Sequence, residues 1–223
     1  MRLVALTIVA LAAACGGAAS VAVDPTATPT SAAGTATPAA TTGASWTVID
    51  KSKATVRVHE QLVGVNLPSD AVLTATGAKG SFALNADGTF SSDSKVTFDL
   101  TTLSSDQQNR DNFVKQDTLN TRQFPTATFV PTKVTGLALP LAASGDFTFT
   151  LTGTLTIRGK SKQVTFDLKA TRNGGDLIAT ATANPTLKFE DFGMSAPSVP
   201  LRVVSVTDEI RLVIDIVATG PAS

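Results

Sequence analysis

The chain has 223 residues, with 18 basic and 18 acidic side chains and a formal net charge of zero. Neutrality argues against the broad electrostatic grip that nucleic acid demands, which needs clustered Lys and Arg. A hydrophobic fraction of 43% suffices for a core, and 11 Phe, one Trp and no Tyr supply apolar area with little polar handle. That suits a dry interior, whether packed solid or lining a cavity.

The N-terminus opens MRLVALTIVALAAAC, with Arg2 ahead of an apolar run from Leu3 to Ala14. The run is shorter than the about 20 residues that span a bilayer and fits the apolar region of a secretory signal, placed at residues 1–20. Cys15, the only cysteine, follows small residues and resembles the acceptor of a bacterial lipobox, although Ala12 and not Leu11 occupies the place that usually holds a large aliphatic. A lone thiol fits poorly in a disulfide-permissive compartment, so lipidation of Cys15 and attachment to the membrane are expected. Plain secretion, with cleavage near Ala19 or Ser20, is the alternative. Residues 21–44 are almost all Ala, Thr, Pro, Gly and Ser, with Val21 and Val23 and a single charge, Asp24. Such a segment cannot offset its ordering entropy by burial and reads as a disordered tether.

Residues 45–219 read as strands. From Phe147 to Ile157 the odd positions are Phe147, Phe149, Leu151, Gly153, Leu155 and Ile157, and the even ones are all threonine. Successive side chains of a strand face opposite ways, so one face is apolar and the other is a Thr surface. Val164, Phe166, Leu168 and Ala170 repeat the pattern after a turn at Arg158-Gly159-Lys160. Similar alternation marks Val56 and Val58, then Val96, Phe98 and Leu100, then Leu177 to Ala183, then Ile210 to Ile216. Asp87-Gly88 and Asn173-Gly174 are further hairpin signals. The spacing predicts an all-β domain of about eight strands, mostly antiparallel, closed on itself or folded as a two-sheet sandwich.

The segment after Leu103 breaks the period. Ser104 and Ser105 stand three residues before Gln107 and Gln108, as in a capping box, and Phe113 with Val114 gives a short apolar stripe. A helix from about Ser105 to Gln116 is expected, ending before Phe124-Pro125 and resting its stripe on an open barrel end.

Chemistry is sparse. His59 is the only histidine; it lies on the face opposite Val56 and Val58 and has no triad or multi-His metal signature around it. Glu190-Asp191 and Asp208-Glu209 read as solvated charges near turns, because strand neighbours diverge. No phosphate loop, EF-hand loop or CxxC occurs. Binding is favoured over catalysis, and no cofactor is implied.

Four stretches resemble one family. SWTVIDKSKATVRVHEQL is similar to the opening of YceI-like domains, QFPTATFVPTKV to the strand after their helix, LTGTLTIRGKSKQVTFDL to their hairpin, and FGMSAPSVPLRVVSVTDEIRLVIDIVA to their final segment. The early strand departs from the family's Phe-x-V-x-H pattern, reading Val56-Arg57-Val58-His59. The resemblance implies an extended antiparallel eight-stranded lipocalin-like barrel with a short helix inserted between strands. It also implies a polyisoprenoid or other long-chain amphipathic lipid held inside, in an exported envelope protein. Expected lipid-lining residues are Phe98, Phe113, Val114, Phe129, Phe147, Phe149, Leu151, Leu155, Phe166, Leu187 and Phe189. A surface adhesion module with a filled core is the alternative, and an enzyme using His59 on a bound isoprenoid is the third reading.

Overall fold

The computed structural model describes residues 44–198 and 201–221. The signal segment, Cys15 and all of the tether except Ala44 lie outside the described residues. Ala44, at the tether's predicted end, is already in a strand.

Nine strands are present among the described residues, in chain order β1 (Ala44–Val48), β2 (Lys53–Leu62), β3 (Ser69–Leu84), β4 (Lys95–Ser104), β5 (Thr126–Thr135), β6 (Ser144–Ile157), β7 (Lys160–Asn173), β8 (Asp176–Ala183) and β9 (Val203–Thr219). Every pairing is antiparallel, and β3 and β4 close the sheet into a ring. The ring has eight positions because β1 and β2 are two halves of one wall strand. β1 pairs with the far half of β3 and the end of β9, while β2 pairs with the near half of β3 and the rest of β9. At the break between them Ser52, fully buried, replaces a lost rung. Its Oγ donates to the Val217 carbonyl at 3.1 Å and accepts from the Val217 N–H at 2.8 Å.

The period-two segments fold as predicted. β6 and β7 pair without slip from Ser144↔Asn173 to Ile157↔Lys160. Their turn is shorter than Arg158-Gly159-Lys160, since Lys160 already pairs. Arg158 and Gly159 carry φ of 51° and 70°, the two left-handed residues of a type I′ turn. Gly153 has a separate constraint: a Cβ there would lie 2.4 Å from the Phe129 ring, which stands edge-on to Phe166 at 5.4 Å.

The helix is shorter than expected. α1 covers Gln108–Phe113 and continues as a π-helical turn, Val114–Thr118. The capping box does not form, because Gln107 is the extended N-cap residue and makes no side-chain cap. Ser105 instead folds a local turn, accepting from the Gln107 N–H at 3.1 Å and donating to Asp111 at 2.6 Å.

Candidate functional site: a two-chambered barrel interior

The barrel is not solid. Two cavities among the described residues share no lining residue and follow one another along the axis. The first, about 110 Å³, is lined by Trp46 of β1, Phe82 and Leu84 near the end of β3, Val96 and Phe98 at the start of β4, and Phe147 to Leu151 at the start of β6. The second, about 430 Å³, is lined by the opposite ends of the same strands: Ala71 and Leu73 of β3, Leu100 and Leu103 of β4, Ile157 of β6, and Val203 to Ile210 of β9. A belt of buried side chains that line neither separates them. On β9 Leu212 falls between Ile214 and Ile210, on β6 Leu155 falls between Leu151 and Ile157, and on β3 Ala75 takes the same place.

Alternation explains why these walls are apolar. The burial pattern of β8 switches at every residue, placing Leu177, Ala179 and Ala181 inside. Small residues there leave the room that larger ones would fill. Six of the expected lining residues meet at the first cavity: Phe98, Phe129, Phe147, Phe149, Leu151 and Phe166. Phe113, Val114 and Phe189 meet at the second, where α1 rests its stripe across the barrel end. Leu155 and Leu187 line neither cavity. Leu155 belongs to the dividing belt, and Leu187 bridges to Ile210 through two backbone bonds of 3.0 and 2.6 Å.

The two ends differ chemically. At the tryptophan end the lining is aliphatic and aromatic throughout, and the Leu137–Ala143 stretch is pinned shut by Arg172. This buried arginine donates to the carbonyls of Leu141, Ala142 and Gly174 at 3.2, 3.1 and 2.9 Å, and its guanidinium stacks 5.3 Å from the Trp46 ring. At the helix end the second cavity gains a polar side. Glu60 points inward from β2 and is buried, and Arg110 of α1 meets it in an ion pair. Arg110 also binds Asp106, four residues earlier on the chain. Gln107, Asn109, Thr118 and Arg202 complete this side. The pairing satisfies a carboxylate that would otherwise be costly to bury.

Glu60 was not among the expected site residues, yet its signal was present. It shares the inward parity of Val56 and Val58, and a charge on an apolar face calls for a buried partner.

His59 points outward. Its Nδ1 lies 3.1 Å from Asp70, which also accepts from Arg211 at 2.6 Å. These two partners, His59 first, hold the Asp70 carboxyl below the usual carboxylate range. The acid pairs are less idle than expected. Asp191 is largely buried, in an ion pair with Lys162, and accepts the Lys188 N–H at 2.8 Å, while Asp208 accepts the Phe189 N–H at 2.7 Å. Residues from two separate pairs thus converge on one short segment and hold Phe189 at the second cavity. The reading as solvated charges fails for Asp191 because a 3₁₀ turn at Glu190–Phe192, and not a strand, sets its direction.

A family model described as YceI-like domain matches residues 46–218. A UPF0312 protein of Pseudomonas putida is 38% identical over 126 residues, covering 50% of this chain and 61% of the relative. The chain therefore matches less than two thirds of that relative's length. Among solved structures, a polyisoprenoid binding domain from Saccharophagus degradans implicated in plant cell wall breakdown aligns with a TM-score of 0.60 at 14% identity, over 79% of this chain and 98% of that one. Burkholderia cenocepacia BcnA aligns with a TM-score of 0.55 at 20% identity, over 77% and 99%. These structures speak for the barrel fold.

Proposed function

This chain belongs to the family of YceI-like domains, and from that premise we propose that it carries a long-chain amphipathic lipid, of the polyisoprenoid class, in the cell envelope. The observation that carries the reading is the pair of apolar chambers laid end to end inside one barrel, polar at one end only. A hydrocarbon tail matches that shape, and each methylene taken from water contributes about 0.8 kcal/mol. The tail would reach the tryptophan end as the Leu155 and Leu212 side chains of the dividing belt move aside, while the lipid's polar head would remain near Glu60 and Arg110. The Saccharophagus degradans domain, which is named for binding polyisoprenoid and shares the fold, supports the same class of cargo. The reading assigns no catalytic residue, and it makes a filled-core adhesion module the weaker alternative, because such a module needs no chambers.

Location belongs to the same proposal. The apolar run and Cys15 would export the chain and fix it to a membrane by acyl chains, with residues 21–44 as leash. Organic extraction of the purified protein, followed by mass spectrometry, tests the carrier reading. A stoichiometric isoprenoid is expected, and protein that yields no lipid from any envelope preparation would overturn it. Cys15→Ser is expected to turn a membrane protein that only detergent extracts into one that an alkaline carbonate wash releases.

A further inference from the structure

The second cavity opens beside an apolar rim that nothing among the described residues covers. Leu67 is 76% exposed and Leu201 is 92% exposed, and Val63, Val65 and Val204 are also largely in water. They come from two segments, the β2–β3 turn and the start of β9, which the Val63 N–H ties together by donating to the Arg202 carbonyl at 3.0 Å. The strands leading into the rim are paired as well, Leu62 with Val203 and Glu60 with Val206. The rim is therefore one patch. Its residues alternate with the cavity wall: Leu62, Arg202 and Val203 line the second cavity, while Val63, Leu201 and Val204 face out.

We propose that this rim is a bilayer-docking surface through which the second cavity exchanges lipid with a membrane, an inference that rests on the carrier reading. Three observations favour a bilayer as occupant. Apart from Val204 of β9, the exposed apolar side chains stand on two neighbouring loop tips and not on a broad flat face, the form suited to dipping into an acyl layer. Within the rim, Gln61 to Ser69 and Leu201 to Thr207, the one charge is Arg202, and of the acids that flank it Glu60 and Asp70 are held in ion pairs and Asp208 accepts the Phe189 N–H, which leaves a cation to meet an anionic lipid surface. The apolar rim is also continuous with the apolar wall, so a chain leaving the bilayer would pass from hydrocarbon to cavity without crossing water. At the opposite end the chain beside the first cavity is tied down by Arg172, which donates to the Leu141 and Ala142 carbonyls.

The test uses the full chain with Cys15→Ser, so that acylation cannot hold it, and vesicles of phosphatidylethanolamine and phosphatidylglycerol. Leu67→Trp reports from the rim, and Ile178→Trp, exposed on β8, reports from the barrel flank. On adding vesicles, the emission of Leu67→Trp is expected to move to the blue and to be quenched by lipids brominated in the acyl chains, with Ile178→Trp unmoved. An unresponsive Leu67→Trp, or an equal response from both probes, overturns the proposal. So does a blue shift that grows with protein concentration in the absence of vesicles, which would mark the rim as a contact with a second copy. Leu67→Glu with Leu201→Glu, at unchanged circular dichroism, is expected to abolish the rim's contribution and to weaken vesicle partition about tenfold or more. Docking needs no cargo. Failed docking with lipid still extractable overturns this inference alone, whereas intact docking by a lipid-free protein overturns the carrier reading and the exchange with it, leaving the rim as a docking surface only.

Discussion

Ala181→Leu asks whether the first chamber is room for a ligand or a flaw in packing. Ala181 is buried on β8 and lines that cavity, whose volume is about 110 Å³. Filling an apolar void returns about 24 cal/mol per Å³, so the whole space corresponds to about 2.6 kcal/mol, and one added isobutyl group recovers about half. For a domain of this size 1 kcal/mol moves Tm by about 2–4 °C. Lipid-extracted Ala181→Leu is therefore expected to melt several degrees above extracted wild type in calorimetry and to need more urea. As purified, the order narrows or reverses, because wild type also gains from bound lipid and the variant has lost the space for it. Mass spectrometry should show less lipid, or a shorter one, in the variant. If the variant is destabilised by about 1–3 kcal/mol after extraction, the site was already full and overpacked. If it is stabilised and retains the full-length lipid, the first chamber does not hold the tail. Either result refutes the reasoning.

Arg110→Met strands Glu60 and is expected to cost about 3 kcal/mol at neutral pH by urea unfolding. Glu60→Gln combined with Arg110→Met should recover most of it. Gly153→Ala drives a methyl into the Phe129 ring and toward the Val130 carbonyl, so a loss of about 1–3 kcal/mol is expected in the same assay. Burial alone would raise the Asp191 carboxyl, but the Lys162 ammonium and the Lys188 N–H outweigh it and hold it below the usual carboxylate value of 3.8. A depressed carboxyl stabilises the fold above that value and loses the contribution as pH falls through its folded pKa. Asp191→Asn should therefore lower Tm at pH 7 and make the midpoint less sensitive to pH below about 4.

What the sequence disclosed followed the range of its signals. The β6–β7 hairpin was legible because its alternation and its turn glycine are local: Phe147 to Ile157 fixes which face is inside, and Gly159 fixes where the chain reverses. Alternation gives the face of a residue and not its height along the barrel. Leu151 and Leu155 therefore looked equivalent, although one lines a chamber and the other divides two. The split of the first wall strand was hidden, since the bonds that compensate for it join Ser52 to Val217, 165 residues away. Of the polar end, the inward parity of Glu60 was legible, but its partner Arg110, 50 residues on, was not. The exposed valines and leucines of the rim were indistinguishable from core residues until the fold placed them beyond the ends of the strands.

The Ser52–Val217 junction also fixes an order of events. Both halves of the opening wall strand lean on β9, the final strand of the ring, so an unfinished chain is an open, curling sheet with bare rungs on two sides. Such long-range closure is entropically late. No closed interior exists before β9 is in place, so on the proposed carrier reading a nascent chain has no chamber in which to trap lipid during synthesis.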